Sequence, residues 1–368
     1  MKVIAFYLPQ FHSIPENDKW WGEGFTEWTN VRKSKPQFIG HNQPEIPYNN
    51  NYYNLLDERV QVQQSEMAIK YGINAFCYYH YWFEGKLLLE KPMENMINNE
   101  NVKIPFCICW ANETWARTWD GKEEDILIKQ NYNENKEAWK KHFDYLVKFF
   151  KDDRYLKHNG MPILLIYKPH LIQDRMEMLN YWRKLAKDAG FLGLYIGYQN
   201  PTAFEHNMEK SGFDFGVEFE PLYTMKEIEN NTKGIGRKIS YSLKNPRWFI
   251  NGIKTKLFNK PRIYNYDSIW RKILRRKPIC NNIIPGAFTS WDNTPRKGNA
   301  SIVFYGSTPE KFKKYFENQV RRAKEVYNSE YIFINAWNEW AEGAHLEPDE
   351  VNGYGYLEAV KEVKGRLE

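Results

Sequence analysis

The sequence predicts an α/β fold of the (β/α)8 TIM-barrel class, because eight short apolar runs alternate with amphipathic helical segments along its 368 residues. The runs are rich in β-branched and aromatic residues and almost continuously apolar, which is typical of parallel strands buried on both faces. No run is followed by a Gly-rich phosphate-binding turn, which disfavours the alternative of a doubly wound open sheet. The predicted strands are VIAFYL (3–8), INAFCYYHYW (73–82), IPFCICW (104–110), PILLIY (162–167), GLYIGY (193–198), FDFGVEF (213–219), IIPGAFTSW (283–291) and YIFINAW (331–337).

Helical segments separate these runs. Their apolar residues recur at a spacing near 3.6, and several segments carry start or stop signals. The segment 308–328 begins with Thr308 in the cap position and Pro309 at the first helical position. The other predicted helices cover residues 58–72, 87–99, 135–153, 175–190 and 354–368.

Two long stretches interrupt the alternation. Residues 9–57 follow the first strand and are rich in Trp and Asn with little helical signal, and residues 221–282 follow the sixth strand. Loops of this length inside a compact domain usually serve function, and both follow the carboxyl end of a strand, which is the catalytic face of a barrel. We therefore predict one catalytic domain over residues 1–368, with a basic insertion at about 225–282.

The insertion is strongly basic. Residues 230–277 contain 14 Lys and Arg against a single acid, Asp267, whereas the whole chain has a net charge of only +6, so the remainder is acidic. Such a segment is typical either of a solvated helical insertion or of a surface for an anionic partner. An anionic membrane surface or a lipid-linked glycan fits better than nucleic acid, because no nucleic-acid-binding motif is present. The aromatic residues interleaved with the basic ones are Trp248, Phe249, Phe258, Tyr264, Tyr266 and Trp270.

The amino-terminal run and the cysteines bear on the cellular compartment. The first apolar run stops at Pro9 with no small-residue cleavage site after it, so it is typical of a strand and not of a signal peptide. No apolar run approaches the ~20 residues of a membrane span. These features predict a cytoplasmic protein, and peripheral attachment to the inner membrane is kept as an alternative. The four cysteines, which lack the spacing of a zinc site and are expected to be mostly buried free thiols, are Cys77, Cys107, Cys109 and Cys280.

Polar and aromatic residues accumulate where the predicted strands end, which is where the catalytic residues of barrels lie. This mixture suits a carbohydrate, whose C–H faces stack on aromatic rings while its hydroxyls bond to polar side chains. Among the candidates the acids are as compatible with ion pairing as with hydroxyl binding, and a structural role is the commoner outcome for the histidines. The residues predicted to bind substrate are Tyr7, His12, Trp21, Glu27, Trp28, His80, Trp110, Asn112, Glu113, Trp115, Lys168, Tyr198, Glu218, Glu220, Trp291, Asp292, Trp337 and Asn338.

The segment WNEWAEGAHLEP (337–348) carries the sharpest catalytic signal. Glu339 and Glu342 lie three positions apart, directly after the eighth strand. Glycoside hydrolysis usually needs one carboxylic acid to protonate the leaving oxygen and a second carboxylate as base or nucleophile. Two close carboxylates raise each other's proton affinity, so that one can stay protonated near neutral pH while the other is ionised. We predict that Glu339 and Glu342 are the catalytic pair, with His345 placed to orient them.

Four segments carry a family resemblance over nearly the whole chain. They are AFYLPQFHSIPENDKWWGEGFTEWTNV (5–31), CWANETWARTWDG (109–121), PGAFTSWDNTPR (285–296) and INAWNEWAEGAHLEP (334–348). The chain resembles the WbsX-like proteins encoded in bacterial surface-polysaccharide gene clusters. Those proteins are in turn similar to glycoside hydrolase family 99, the endo-α-mannosidases and endo-α-mannanases.

The resemblance implies a retaining (β/α)8 hydrolase that acts through a 1,2-anhydro sugar. Under that scheme Glu339 would be the base that deprotonates the 2-hydroxyl of the substrate, and that oxygen would attack the anomeric carbon. Glu342 would be the acid and base at the leaving group. The resemblance implies no metal and no diffusible cofactor, and it implies an oligosaccharide or polysaccharide as the partner.

Two alternatives are kept beside the hydrolase. WbsX-like proteins are often described as glycosyltransferases, so a transferase of O-antigen or capsular polysaccharide synthesis, in lipopolysaccharide or carbohydrate metabolism, is the first alternative. The Asp-x-Asp motif of many nucleotide-sugar transferases is absent. A glycan-binding or anionic-surface-binding protein without catalysis, working through residues 230–277, is the second. Hydrolysis with water as acceptor and no nucleotide sugar distinguishes the hydrolase from the transferase.

Overall fold

The computed structural model describes residues 1–117, 122–132, 135–200, 211–231 and 260–367. Within these residues, eight parallel strand positions follow one another round a barrel in the order of the predicted runs. The seventh position consists of two short pieces. The strands are β1 (Lys2–Tyr7), β2 (Ala75–Phe83), β3 (Phe106–Trp110), β4 (Met161–Ile166), β5 (Tyr195–Asn200), β6 (Phe215–Glu218), β7 (Ile283–Ile284 and Gly286–Phe288) and β8 (Tyr331–Asn335).

The barrel closes at β7. The strand β1 pairs in parallel with β2 on one side and with β8 on the other. The first piece of β7 pairs with β6 and the second piece pairs with β8, with Pro285 between them. Gly286 passes very close to β6, because a Cβ at this position would lie 1.9 Å from the backbone oxygen of Glu218. The predicted (β/α)8 barrel is confirmed.

Helices separate the strands at close to the predicted positions. The helix predicted at 135–153 spans Lys136–Phe150, and the Asn135 side chain caps it. The helix predicted at 87–99 begins only at Lys91, because the residues before it form an antiparallel strand with the end of β2. None of the helices in the described ranges has both the length and the apolar character to cross a lipid bilayer. The helices are Pro15–Trp21, Glu27–Lys33, Glu58–Lys70, Lys91–Asn98, Lys136–Phe150, Arg175–Asp188, Leu222–Asn231, Tyr266–Arg275, Thr294–Lys297, Pro309–Glu325 and Gly355–Leu367.

The long loop after β1 contains more helix than the sequence suggested. Two helices of seven residues each, Pro15–Trp21 and Glu27–Lys33, lie within residues 9–57. A proline opens the first helix and a capping box at Thr26 opens the second. Seven residues make only about two helical turns, which is too short for amphipathic periodicity to show. Local capping signals were the observable clue.

The basic segment is only partly described, since residues 232–259 lie outside the described ranges and include Trp248, Phe249 and Phe258. Tyr264 is partly buried. Tyr266 and Trp270 are fully buried core residues, and the Trp270 ring stacks on Phe288 at 5.3 Å. These two rings therefore belong to the packing of the helix Tyr266–Arg275 against the barrel, and they are not part of the binding surface considered as one alternative for the segment. The basic surface itself stays a prediction.

The interior is built largely from aromatic and β-branched residues, as the apolar runs predicted. Among the cysteines, Cys77, Cys107 and Cys109 are buried free thiols at the barrel strands, and Cys280 is a half-buried free thiol. Burial accounts for the first three without any reactive role, because a buried thiol behaves as a small apolar group.

Candidate active site

A cavity of about 240 Å³ lies at the carboxyl ends of the barrel strands. Its wall combines residues that are far apart in sequence, from the loop after β1 to the loop after β8. Of the sequence-predicted residues, the wall brings together Trp21, Glu113, Trp115, Glu339 and Glu342. The other lining residues are Leu8, Gln10, Asn17, Tyr79, Tyr81, Ala111, Thr114, Ala116, Leu127, Tyr167, Phe219, Leu222 and Arg296.

The loop after β8 holds the two glutamates in a tight turn. Glu342 ends a 3-10 turn, Trp340–Glu342, and the next residue, Gly343, has a left-handed backbone with φ of 58°. A Cβ at position 343 would lie 3.0 Å from the backbone nitrogen of Asp292, which donates to the Glu342 carbonyl at 2.7 Å. Glycine suits both the backbone conformation and the close contact. The turn thereby sets the relative placement of Glu339 and Glu342.

Asn338 ties this loop to the end of β1. Its side-chain oxygen accepts from the Leu8 amide at 2.7 Å, and its side-chain nitrogen donates to the Leu8 carbonyl at 3.0 Å. Asn338 itself is fully buried. This predicted substrate-binding residue therefore positions the neighbouring Glu339 by fastening two strand ends together.

Glu347 anchors the same loop from behind. Its carboxylate accepts from the indoles of Trp337 at 3.0 Å and Trp340 at 2.7 Å. It also accepts from the Tyr53 hydroxyl at 2.8 Å and the Gln64 amide at 2.7 Å. Four donors satisfy a buried carboxylate whose pKa burial nevertheless raises. Both indole nitrogens of the WNEW motif are thus engaged outside the cavity wall.

His345 acts on the pair indirectly. Its ring stacks on Trp340 at 3.7 Å, and its Nε2 lies 3.0 Å from the Glu45 carboxylate. Burial acts to lower the pKa of His345, but the bond to Glu45 outweighs burial and raises that pKa to about 9. The charged His345 ring packs against Trp340, and Trp340 lies between Glu339 and Glu342 in the sequence.

One guanidinium joins three carboxylates beside the cavity. Arg296 donates to Glu339 at 2.6 Å, to Glu342 at 2.8 Å and to Glu27 at 3.2 Å. The Glu27 side chain is completely buried at the start of its helix, whereas 23% of the Glu342 side chain is exposed. Arg296, which also lines the cavity, therefore aligns the two predicted catalytic carboxylates while Glu342 keeps access to the cavity.

These surroundings raise the proton affinity of both glutamates. Burial raises the pKa of Glu339 to about 8 against the lowering effect of Arg296, and the charges of Glu342 and Glu27 raise it further. Burial also raises the pKa of Glu342, although Arg296 and Lys297 act to lower it. One guanidinium cannot neutralise three carboxylates, so the pair shares a proton at neutral pH. That charge state is the one that acid–base catalysis requires.

A second ion pair involves three other predicted residues. Lys168, which follows β4, forms a salt bridge with Glu113, which follows β3. The buried Asn112 side chain accepts from the Lys168 amide at 2.7 Å and donates to the Lys168 carbonyl at 2.8 Å. Glu113 lines the cavity, whereas Lys168 and Asn112 hold it in place from outside the wall.

Aromatic side chains form much of the wall. Trp115 is partly exposed and packs edge-on against Tyr81 at 5.0 Å. The Tyr81 hydroxyl accepts from Gln10 at 2.9 Å, and the Tyr79 hydroxyl lies 3.0 Å from the Gln199 amide. Rings beside carboxylates match the two kinds of surface that a sugar presents.

The remaining predicted residues do not line this cavity. Two of them, His12 and His80, are buried histidines. Burial lowers the pKa of His12 to about 4 and that of His80 to about 3. The His80 Nε2 lies 3.0 Å from the His142 Nε2. Asp292 binds His41 at 2.6 Å and Gln43 at 2.7 Å. Tyr7, Trp110 and Tyr198 are strand residues, and alternate side chains of a barrel strand point into the packing layers. Trp28 lies on the helix Glu27–Lys33, and Trp291 and Trp337 follow β7 and β8. The aromatic ones, all buried, are Tyr7, Trp28, Trp110, Tyr198, Trp291 and Trp337.

Two predicted acids at the end of β6 form a separate cluster. Glu218 and Glu220 are completely buried and lie 3.0 and 2.5 Å from the Arg276 guanidinium. Neither contributes to the cavity wall. Glu218 and Glu220 therefore lie at a strand end, as predicted, but they belong to a buried ion cluster and not to the cavity.

Sequence reasoning missed Arg296. It closes the motif PGAFTSWDNTPR, and the four-residue helix Thr294–Lys297 carries it to the glutamates. The excess of acids at the strand ends was a usable signal, because neighbouring buried carboxylates need a cation. Tyr79, Tyr81 and Tyr167 were missed as well, although each lies in or directly after a predicted strand.

Comparisons with known proteins agree with the motifs. The profile of the family described as "Glycosyltransferase WbsX" matches residues 3–360. WxcX proteins from two strains of Xanthomonas campestris pv. campestris are 35% and 36% identical over 99% of this chain. The match covers 50% of each WxcX protein, so the chain spans about half the length of these curated relatives.

Solved structures share the fold. The GH99 endo-α-mannosidase from Bacteroides thetaiotaomicron aligns with a TM-score of 0.57 and 14% identity over 99% of this chain and 97% of that chain. A chain described as "Glycoside hydrolase-like protein" aligns with a TM-score of 0.56 and 14% identity over 98% of this chain and 93% of its own length. At this identity the likeness establishes the barrel fold. The family profile confirms the resemblance to the WbsX-like proteins that the four motifs indicated.

Proposed function

The chain belongs to the family described as glycosyltransferase WbsX, and from that premise we propose that it is a carbohydrate-active enzyme that cleaves, and can re-form, glycosidic bonds of an oligosaccharide or polysaccharide. The observation that carries the proposal is the pair Glu339 and Glu342, joined by Arg296 at an aromatic cavity. Two carboxylates in one site are what glycosidic bond cleavage requires. The endo-α-mannosidase of the same fold supports the same chemistry.

The proposed reaction retains the anomeric configuration. Glu339 accepts the proton of the substrate's 2-hydroxyl, the 2-oxygen attacks the anomeric carbon, and Glu342 gives its proton to the departing oxygen. The product of this step is a 1,2-anhydro sugar with Glu339 protonated and Glu342 ionised. Glu342 then accepts a proton from water or from an acceptor hydroxyl as that oxygen attacks the anomeric carbon. The 2-oxygen regains its proton from Glu339, so that both carboxyl groups return to their starting states.

The environment of the pair supports this division of labour. Glu342 is the more exposed of the two and lies nearer to where a leaving group can enter. Glu339 receives the shortest Arg296 contact, and a guanidinium stabilises the ionised form that a base must have. Burial raises the pKa of Glu339 to about 8 despite this contact, so the proton that Glu339 holds at neutral pH has to pass to Glu342 to reach the reactive state.

The charges around the cavity favour an uncharged glycan. Among the described residues of the wall, Glu113, Glu339 and Glu342 are acids and Arg296 is a cation already engaged by carboxylates. The diphosphate of a nucleotide sugar would meet this negative field with no unoccupied cation in the described wall. This arrangement supports hydrolysis or transglycosylation over transfer from a nucleotide sugar.

The test is hydrolysis of an array of α-linked oligosaccharides, including mannose-containing ones, without nucleotide sugar. Wild type, Glu339→Gln and Glu342→Gln are compared with the exposed control Glu325→Gln. Product release by wild type and the control, lost in both pair variants, is the expected result. Equal activity in all four proteins would refute the assignment of the pair.

The family description favours a second candidate, a glycosyltransferase of surface-polysaccharide synthesis. Incubation with nucleotide sugars and an oligosaccharide acceptor distinguishes it from the first. Elongation of the acceptor that depends on the nucleotide sugar, with no hydrolysis on the array, would replace the hydrolase proposal.

A further inference from the structure

We propose that the protein has a second binding site, for a neutral oligosaccharide, in a groove beside the helix Glu58–Lys70. This outer groove has a volume of about 930 Å³, against about 240 Å³ for the active-site cavity. Its walls are the loop 47–53, one face of that helix, and residues 347–354. The two cavities share no lining residue, and Trp340 and Glu347 belong to the wall of the outer groove. The proposal does not depend on the reaction proposed above.

Hydrogen bonds hold the lip of the outer groove in place. The Tyr48 amide donates to the Pro348 carbonyl at 3.0 Å, and the Glu350 amide donates to the Ile46 carbonyl at 2.9 Å. The Asn49 amide donates to the Glu350 carboxylate at 2.6 Å. The loop after β1 is thus fastened to the segment after β8, so the groove is preformed. A preformed site binds without the entropic cost of ordering a loop.

A row of tyrosine rings runs along the outer groove. Tyr48 packs edge-on against Tyr354 at 5.4 Å, and Tyr354 stacks on Tyr71 at 5.8 Å. Tyr48 is 37% exposed and Tyr71 only 9%. The ammonium groups of Lys70 and Lys361 lie over the Tyr71 ring. Tyr48 and Tyr354 are therefore the rings available to the C–H face of a sugar.

Unpaired amides surround these rings. The side chains of Asn49, Asn50, Asn51 and Gln63 line the outer groove and are exposed. Within the described part of the chain, none of these four amide groups bonds to another protein group. Each amide offers both a donor and an acceptor, which is the pairing that a sugar hydroxyl needs. Rings and amides in one concave site are the chemistry that recognises a polyhydroxylated ring.

The charges of the outer groove indicate that its ligand is neutral. Glu66 and Lys70 lie one helical turn apart and balance each other. The Glu347 carboxylate is occupied by its four donors. Because these donors engage the buried carboxylate, it is not free to bind a cation, and the described lining residues hold no cluster of like charge that would select an ion.

The experiment uses a printed array of neutral gluco-, manno- and galacto-oligosaccharides of two to six units, probed with the full chain carrying Glu342→Gln. The affinity for the strongest binder is then measured by calorimetry. Tyr48→Ala and, separately, Asn51→Ala are introduced into that protein, with Tyr305→Ala as the matched exposed-tyrosine control and Trp115→Ala as the active-site control. We expect a binding event that Tyr48→Ala weakens about tenfold or more and that both controls leave unchanged.

Three results would overturn the proposal. The first is glycan binding that disappears in Trp115→Ala and is unaffected by Tyr48→Ala and Asn51→Ala, which would place all binding in the active-site cavity. The second is no binding by any probe at millimolar concentration. The third is a dimer that Tyr48→Ala dissociates, measured by light scattering, which would make a second copy of the chain the occupant. Because catalysis is not the readout, failure of the proposed reaction leaves this test intact.

Discussion

Two buried arginines of this protein each lie among three carboxylates, yet their surroundings differ. Arg296 contacts Glu27, Glu339 and Glu342, and Arg276 contacts Glu218, Glu220 and Glu227 at 3.0, 2.5 and 3.1 Å. The clusters have the same composition. Burial also raises a carboxyl pKa in each, to about 8 for Glu339 and to about 7 for Glu218.

Access distinguishes the two clusters. At Arg276, the Tyr327 hydroxyl donates to Glu218 at 3.0 Å and Thr224 donates to Glu220 at 3.0 Å, so protein groups fill the space around both acids. At Arg296, Glu339 and Glu342 line a cavity. A raised pKa and an arginine partner therefore do not identify a catalytic acid on their own, because a closed cluster produces both. The open side of the cluster is what gives a substrate access to the proton.

The largest expected difference between the Arg296 and Arg276 clusters is in the effect of a Glu→Gln substitution on kcat/KM. Glu339→Gln and Glu342→Gln should each lower kcat/KM by about 10³-fold, because each removes a group that transfers a proton. Glu218→Gln should leave kcat/KM within about threefold, since no substrate reaches it. Steady-state kinetics on the best substrate of the hydrolysis array measures all three. A comparable loss in Glu218→Gln would show that the closed cluster takes part in catalysis.

The two arginines should separate activity from stability. Arg276→Gln leaves two fully buried carboxylates without their cation and should cost about 3–5 kcal/mol of unfolding free energy. Arg296→Gln should lower kcat/KM about 10- to 100-fold, because the pair loses its alignment. Denaturant titration and kinetics are measured on both variants. Arg296→Lys, which keeps the charge but not the fork of donors, should recover only part of the activity.

The pH profile tests whether the glutamate pair works while it holds one proton. Burial raises the pKa of Glu339 to about 8, and the two carboxyl groups titrate as a pair, so kcat/KM should decline as pH rises through about 8, where the pair loses its last proton. Glu218→Gln should leave this profile unchanged. A kcat/KM that does not decline above pH 8 would contradict a reaction that needs one proton on the pair.

The smallest expected effect concerns stability against pH. The pKa values of Glu339 and Glu218 lie above the ordinary 4.5, so the folded chain binds more protons than the unfolded chain above pH 4.5. The unfolding free energy should therefore fall as pH rises above 4.5. The contribution of Glu218 to this fall ends near pH 7, and that of Glu339 ends near pH 8. Each Glu→Gln variant should remove at most about 1.4 kcal/mol per pH unit of that fall. Unfolding curves at several pH values check this, and slopes identical to wild type would contradict it.

The sequence predicted the barrel well because its signals are local. Each strand shows as a continuous apolar run, and the placement of Glu339 and Glu342 after β8 follows from the position of one such run. The same rule overpredicted the site. It selected Glu218 and Glu220 with equal force, although the structure encloses both. The side from which a strand-end residue is reached depends on neighbouring elements, and no local pattern contains that information.

By itself the sequence determined the strand order, most of the helices, the family and the placement of Glu339 and Glu342 after β8, because periodicity, capping and motif spacing are properties of contiguous residues. Only the tertiary structure decided that Arg296, 43 residues before Glu339, completes the cluster. It also decided that Trp337 and Asn338 brace the loop from outside the cavity and that a separate groove lies beside Trp340. The physical reason is barrel closure, which brings the loops after β1, β7 and β8 into contact, so that burial and charge at the site are set by distant segments.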